Sequence, residues 1–233
     1  MSFTGFPAEG IQFFSDITEN NNREWFQANK HIYTNAVVEP AKAFIVELGE
    51  KLQMIAPGVQ YDTRTNGSGS MMRIYRDVRF SKDKSPYKNW LGIIFWEGKG
   101  KKNQNPGFYF GISPDGVGIH AGLYGFESSV MKAYRAAADD EQTGSELAQI
   151  LADLEAGGYS YSGEQYKRVP RGYDKDHPRE GLLRYKGLIT SAPRIDPTVV
   201  SSPKLVDVCF SHCQKMAPLQ QWLARVKKTV DNT

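Results

Sequence analysis

The apolar segment Trp90–Trp96 constrains the fold of this chain more than any other feature. Its seven residues, Trp-Leu-Gly-Ile-Ile-Phe-Trp, include no polar side chain. A short apolar run of this kind is consistent with a strand that is buried on both faces. The next two apolar segments, Phe108–Ile112 and Val117–Ala121, are separated by Ser-Pro-Asp-Gly at 113–116. Because proline and glycine supply the backbone angles of a tight turn, we predict an antiparallel hairpin here.

Helical periodicity dominates on both sides of this central part. On the N-terminal side, the sequence predicts a helix over 11–17 and another that begins at Asn21 as N-cap, with Glu24 completing a capping box. Pro40 is expected to kink or restart that second helix. On the C-terminal side we predict helices over 127–138 and 145–156, and a long one that follows Ser202 as N-cap and bends at Pro218.

The predicted fold class is therefore α+β. We expect a single domain over 1–233, with a helical part at about 10–56, a sheet at about 70–122 and a mainly helical part at 126–230. The central sheet is expected to be largely antiparallel, with the N- and C-terminal helices packed on it.

Cysteine usage and hydropathy indicate the compartment. Two cysteines cannot form a disulfide framework, and no apolar run approaches the ~20 residues that cross a bilayer. The N-terminus lacks the basic and apolar regions of a signal peptide. We therefore expect a cytoplasmic protein with no membrane contact. Cys209, His212 and Cys213 have metal-ligand side chains, but their helical spacing on one apolar face favours core packing, so no metal and no cofactor is predicted.

A basic segment at 73–88 is the strongest functional signal. Six cations stand against two carboxylates, and an excess of four positive charges favours a bound anion. Residues 72–80 alternate between polar odd positions and apolar even positions, which predicts a strand with a charged face. Arg76 is the one charge on the apolar face, so we expect it to be buried against a carboxylate. An internal network of ion pairs is the structural alternative for the other charges.

A second basic segment lies at 167–186, with seven cations against three carboxylates. It contains His177, a candidate acid–base residue because its intrinsic pKa lies near neutrality. A solvent-exposed loop histidine is the alternative. We predict that the two basic segments converge on one anion site and that tyrosines of both segments lie beside it.

Several motifs of the chain resemble one known family. The spacing Arg73-x-x-Arg76-Asp77-x-Arg79-Phe80-x-x-Asp83-Lys84-x-x-Tyr87 looks like the signature of the family catalogued as domain of unknown function 2461. The Asn-Asn-Arg-Glu-Trp-Phe sequence at 21–26 and the Arg-Val-Pro-Arg-Gly-Tyr-Asp sequence at 168–174 also fit that family. The resemblance runs nearly from end to end. It implies no activity, because the family is itself defined without one.

Three function hypotheses remain open on the sequence. The first is a site for an anionic, phosphate-bearing ligand such as a nucleotide or nucleic acid. The second is a non-catalytic interaction module that meets a protein partner through its basic face. The third is a metal-independent enzyme acting on a phosphorylated or carboxylated metabolite, with Asp77 or His177 as base. The sequence does not decide whether the protein is an enzyme or what its oligomeric state is. The predicted ligand-binding residues are Arg73, Arg79, Lys82, Asp83, Lys84, Tyr87, Lys88, Arg168 and Arg171.

Overall fold

One six-stranded antiparallel sheet forms the centre of the protein. The computed structural model describes residues 2–232. The strands are β1 (Val59–Gln60), β2 (Leu91–Glu97), β3 (Gly107–Ser113), β4 (Gly116–Leu123), β5 (Ser160–Ser162) and β6 (Leu188–Ser191). Their spatial order is β1-β2-β3-β4-β6-β5, and every neighbouring pair is antiparallel. The predicted α+β class and the hairpin of β3 and β4 are confirmed.

Helices precede and follow the sheet. They are α1 (Ala8–Glu19), α2 (Arg23–Ile32), α3 (Glu39–Ile55), α4 (Ser128–Asp139), α5 (Glu141–Ala156), α6 (Glu180–Leu183) and α7 (Leu205–Asp231). A π-helical turn at Tyr33–Val38 joins α2 to α3 immediately before Pro40. A proline lacks the N–H that a regular helix would use, and the wider turn precedes it. Pro218 lies within α7, which continues through it.

The two faces of the sheet differ in what covers them. One face carries the large apolar side chains of β2, β3 and β4, among them Phe95, Phe108 and Phe110, which are fully buried. Helix α7 packs against β4, and α3 and α4 pack against α7. The hydrophobic core is one continuous cluster that includes residues from Phe3 to Val226. The other face is only partly covered, and it carries glycines and a few aromatic and polar side chains.

Several details of the sequence prediction are wrong. The predicted strand over 72–80 is irregular, because its hydrogen bonds to the neighbouring segment end at Arg76. The N-cap of α2 is Asn22, whose side chain accepts from the backbone N–H of Trp25. Helix α7 begins at Leu205, and Ser202 instead accepts a hydrogen bond from the backbone N–H of Lys204. The sheet also extends beyond residue 122, through the short strands β5 and β6.

Candidate ligand-binding site

The basic segment 73–88 folds back on itself as an irregular hairpin beside β2. Its first arm donates from the backbone N–H of Met72 to Gly92 (2.8 Å), and its second arm donates from Lys88 to Ile74 (2.8 Å). Exposure alternates as predicted at the start, since Arg73 and Tyr75 are exposed while Ile74 is buried. The alternation ends at Phe80, which is 94% exposed at an apolar position. Within the described residues the segment has no sheet partner beyond residue 76, so its side chains no longer alternate between two faces.

Tyr87 anchors this hairpin to the helical layer. Its ring stacks on Phe26, with centroids 4.3 Å apart, and it is 2% exposed. The side chain of Asn21 holds the backbone of Tyr87 on both sides, accepting from its N–H (2.9 Å) and donating to its carbonyl oxygen (2.9 Å). Asn21 therefore serves as a clamp for a distant loop, which explains why the capping role falls to Asn22.

The two carboxylates of the segment are held by local hydrogen bonds. Asp77 accepts from Arg79 Nε (2.9 Å) and Nη2 (2.7 Å), and this lowers the pKa of Asp77 to about 2. Asp83 accepts from the hydroxyl and N–H of Ser85 and forms an ion pair with Arg76, so its pKa is also lowered. Arg76 thus has the predicted carboxylate partner, but its side chain is 28% exposed, so the prediction of a buried pair is wrong.

Three cations nearby have backbone carbonyls as their hydrogen-bond acceptors instead of carboxylates. Arg73 Nε donates to the carbonyl of Asn66 (3.0 Å), Lys88 Nζ donates to that of Arg73 (2.6 Å), and Lys102 Nζ donates to that of Gly69. We call Arg73, Lys88 and Lys102 the cation cluster. Burial lowers the pKa of Lys102, and the charges of Lys88 and Arg73 lower it further, while Asp62 acts in the opposite direction. The cluster therefore carries mutual repulsion that a bound anion would relieve.

Two other predicted site residues of the segment point elsewhere. Lys84 Nζ donates to the carbonyl of Val78 (3.0 Å), which closes the loop of the hairpin. Lys82 is exposed at the tip of the hairpin. Neither residue lines the cleft that contains Arg76, Asp77, Asp83 and Lys88. Their role in binding stays a prediction.

An aromatic row on the open face of the sheet adjoins the cation cluster. Lys88 Nζ lies 5.3 Å from the centre of the Trp90 ring, a favourable cation–π geometry. The Trp90 ring meets Tyr109 edge to face at 6.3 Å, and Tyr109 lies 5.8 Å from His120. Burial raises the pKa of Tyr109 to about 12 and lowers the pKa of His120. Both rings are therefore uncharged at neutral pH.

Three neighbouring clefts meet at this row. A cleft of about 490 Å³ contains Arg76, Tyr87, Lys88 and Trp90. A second, of about 620 Å³, lies over the turn end of β3 and β4, and a third, of about 720 Å³, lies over their opposite end. Trp90 lines all three, and Tyr109 and His120 line the last two. Pockets of this size accommodate small organic ligands.

The second basic segment lies away from this site. It precedes β6 and so sits beside the Leu188 end of that strand, whereas the first segment precedes the Leu91 end of β2. In the register of the sheet, Leu188 pairs with Leu123 of β4, whereas Leu91 pairs with Ile112 of β3. Ile112 lies at the turn end of the β3–β4 hairpin and Leu123 at its open end, so the two basic segments meet the sheet at diagonally opposite corners. The first segment lines the 490 Å³ cleft, the second lines a separate cleft of about 290 Å³, and neither of these two clefts is lined by both segments. The expected convergence on one anion site is therefore not found.

The side chains of the second segment mostly have structural partners. The His177 ring lies 3.4 Å from an Asp139 oxygen, and its Nδ1 accepts from the backbone N–H of Arg179 (3.0 Å). The guanidinium of Arg179 donates to the carbonyls of Ala138 (3.0 Å), Asp139 (2.9 Å) and Asp140 (3.2 Å) at the end of α4. Arg168 and Arg171 are exposed. Their place in ligand binding stays a prediction.

The sequence reasoning did not select Trp90, Tyr109, His120 or Lys102 as site residues. Tyr109 and His120 pair directly in the register of β3 and β4. Both residues lie on the same face of the sheet as Gly111 and Gly118. In the sequence, this face is marked by glycines and large polar rings at every second position, with apolar residues between them. Lys102 carried no such signal, because the fold of the 98–107 loop decides where it lies.

The model of one known family matches most of the chain. The model of the family described as "Conserved hypothetical protein (DUF2461)" matches residues 9–222. The chain belongs to this family, as the resemblance of its motifs implied. No protein with a curated description matches the chain. Within the described residues, none of the helices combines the length and apolar character needed to cross a membrane.

Proposed function

We propose that this protein binds a phosphate-bearing ligand with a planar ring, of the nucleotide or single-stranded nucleic-acid type, on the open face of its sheet. The observation that carries the proposal is the cation cluster next to Trp90. Arg73, Lys88 and Lys102 donate to carbonyl oxygens, and none of them forms an ion pair with a carboxylate within the described residues. Phosphate oxygens supply the missing negative charge.

The chemistry of the cluster suits a phosphate better than an isolated carboxylate. Lys102 and Lys88 are half-buried, so their charges are screened less by solvent than those of exposed lysines. A phosphate carries more charge than a single carboxylate and has enough oxygens to accept from more than one of these cations. Each charge-assisted hydrogen bond is typically worth about 1.5–3 kcal/mol.

The aromatic row next to the cluster indicates the rest of the ligand. Planar bases stack on aromatic side chains, and basic residues track the phosphates that such bases carry. Trp90 is in contact with Lys88 on one side and Tyr109 on the other, so one ligand of nucleotide size would reach both. This arrangement supports a ring-bearing phosphate over inorganic phosphate alone.

The proposal is tested by measuring thermal stabilisation by nucleotides, phosphosugars, polycarboxylates and short single-stranded oligonucleotides, followed by calorimetry on any that bind. We expect ring-bearing phosphates to bind most tightly and to lose affinity as salt rises, because the contacts are charged. Lys88→Gln and Lys102→Gln should each weaken binding by about tenfold.

Lys215→Gln is the matched control, because Lys215 is an exposed lysine on α7, outside the clefts. It should leave binding unchanged. The proposal is wrong if no phosphate-bearing compound stabilises the wild type, or if the control weakens binding as much as the cluster variants do.

One observation favours the interaction module as a second candidate. Phe80 is 94% exposed at the tip of the hairpin, next to Arg79, whose guanidinium lies 5.8 Å from its ring. An aromatic and an arginine side by side are common at protein interfaces. That function would be favoured if the protein bound no anion and if Phe80→Ala disrupted its complex with a protein partner.

The enzymatic alternative receives less support from its two candidate bases. Asp77 is bound by Arg79, and a pKa of about 2 makes it a weak base at neutral pH. His177 is engaged between Asp139 and the backbone of Arg179. Their catalytic roles stay predictions.

A further inference from the structure

The open face of the sheet contains a hollow, which we define by its two floor residues, Gly111 and Gly118. These glycines pair directly across β3 and β4, next to the pair formed by Tyr109 and His120. The hollow is the floor of the 620 Å³ cleft, and Trp90 and Tyr109 stand at its side. Two ring-bearing walls over a backbone floor leave a flat space of the size of a small organic molecule.

The packing of the fold does not require these two glycines. A Cβ added at Gly111 would have its nearest neighbour, in the Tyr109 ring, 3.9 Å away, and one at Gly118 would lie 3.4 Å from His120 Nε2. Neither glycine has a positive φ. By contrast, a Cβ at Gly107 would approach a carbonyl oxygen to 2.0 Å, so that glycine is needed for packing. Glycine within a strand lowers stability, and it often marks a place where a ligand approaches the backbone.

His120 is held so that one of its ring nitrogens faces the hollow. Its Nδ1 lies 2.7 Å from the hydroxyl oxygen of Ser191 on the neighbouring strand β6, and this contact fixes the orientation of the ring. Its other nitrogen, Nε2, is the atom nearest to the position that a Gly118 Cβ would take. The hollow therefore has a fixed imidazole nitrogen at its edge, available to donate to or accept from an occupant.

The rim of the hollow is polar without being positively charged. Its polar and charged residues include Thr18, Glu19, Asn89, Ser113, Asp115 and Arg194. Arg194 is already engaged, with Nε donating to the carbonyl of Asp115 (2.8 Å) and Nη2 lying 3.6 Å from its carboxylate. Glu19 adds a further negative charge, so this cleft disfavours a phosphate. It suits an uncharged group with hydroxyls.

We propose that the hollow binds the nucleoside part of the ligand, with its planar ring over Gly111 and Gly118 and its hydroxyls against the polar rim and His120. This inference deepens the proposed function. It rests on that function only for the position of the phosphate group, which lies beyond Trp90 at the cation cluster. Trp90 lines both the hollow and the cleft of Lys88, so one molecule spans the two. The ligand class is then a nucleoside phosphate.

The first experiment uses the wild type and needs no substitution. Amide spectra are recorded by NMR while adenosine, AMP, ribose 5-phosphate and inorganic phosphate are each added. We expect adenosine and AMP to shift the amides of Gly111 and Gly118, and AMP and inorganic phosphate to shift those of Lys88 and Lys102. AMP should bind more tightly than adenosine.

The second experiment fills the hollow. Gly111→Val and Gly118→Val should keep or raise the melting temperature, because β-branched residues suit strands, while reducing adenosine and AMP affinity at least tenfold. Ser162→Val is the matched control, since it adds the same side chain at an exposed position of β5 and should leave affinity unchanged.

The outcomes separate the two proposals. If AMP shifts the cluster and binds more tightly than inorganic phosphate, but neither adenosine nor AMP shifts the glycine amides, the hollow is not a site and the proposed function stands. If adenosine binds in the hollow and phosphate adds no affinity, the hollow is a site and the phosphate proposal is wrong. If none of the four compounds binds, both are wrong. Unchanged affinity of the valine variants for adenosine and AMP would also show that the hollow is not the binding site.

Discussion

The two basic segments carry the same excess charge in the sequence, yet the structure compensates that charge to different extents. In the 167–186 segment, Arg179, Arg184 and Lys186 all reach carboxylates, and Arg179 also holds the end of α4. In the 73–88 segment, Arg76 and Arg79 pair with Asp83 and Asp77, whereas Arg73 and Lys88 donate to backbone carbonyls and lie near Lys102 of another loop. A local count of charges therefore identifies a need for compensation, but the tertiary partners decide whether the protein itself supplies it.

The largest expected effect is on the stability provided by the second segment. The Arg179 side chain is 11% exposed and donates to three carbonyls, including that of the buried Ala138, so Arg179→Ala removes three hydrogen bonds and the packing of the side chain. We expect it to lower the free energy of unfolding by about 2–4 kcal/mol, measured by urea denaturation. Arg171→Ala, at an exposed position of the same segment, should change it by less than about 0.5 kcal/mol. Equal effects of the two substitutions would contradict the structural role of Arg179.

The next effect is a pH dependence of anion binding at the first segment. The pKa of Lys102 is lowered mainly by burial, with neighbouring cations adding to the effect and Asp62 opposing it, so Lys102 begins to lose its proton at lower pH than an ordinary lysine. A bound phosphate stabilises the protonated form and raises that pKa, so binding should weaken as pH rises above neutrality toward the ordinary lysine pKa of 10.5. Calorimetry with phosphate or AMP across this range measures the change.

Lys102→Arg is the control for this dependence, because arginine keeps its charge throughout the range. A variant that binds AMP and still shows the full loss at high pH would show that Lys102 is not the titrating group.

A smaller effect is expected at Arg76. Its partner Asp83 is 58% exposed, so the ion pair is screened, and Arg76→Ala should lower the melting temperature much less than Arg179→Ala does. The sequence alone predicted a large loss here, from a buried pair. Thermal denaturation of the two variants side by side decides, and a loss at Arg76 as large as that at Arg179 would restore the buried-pair interpretation.

The smallest effect is the acid sensitivity that comes from Asp77. Its folded pKa of about 2 lies below its ordinary value of 3.8, so its contribution to stability is present above about pH 4 and is lost as pH falls toward 2. Asp77→Asn should therefore lose less stability than the wild type between these pH values. The measurement is urea denaturation at pH 4 and pH 2.5. Identical losses in both proteins would show that the pair with Arg79 contributes nothing to folding.

Much of the fold was predictable because its signals are local. The apolar run of β2, the Pro-Asp-Gly turn after β3 and the periodicity of the long helices each depend on residues close together in the chain. Strands β5 and β6 were not predicted, because they have three and four residues and take their strand form from pairing with β4 and with each other. The missed N-cap of α2 has a similar cause, since Asn21 is recruited by Tyr87 sixty-six positions away.

The sequence by itself determined the family, the α+β class and the presence of a basic segment flanked by aromatic residues. Only the tertiary structure decided which cations donate to backbone carbonyls instead of forming ion pairs within the described residues, and it placed Lys102 beside them from a loop that the sequence did not select. It likewise placed Trp90, Tyr109 and His120 in one row over a glycine floor. The physical reason is that periodicity and turn chemistry act over a few residues, whereas charge compensation and the shape of a cleft depend on strand register between distant segments.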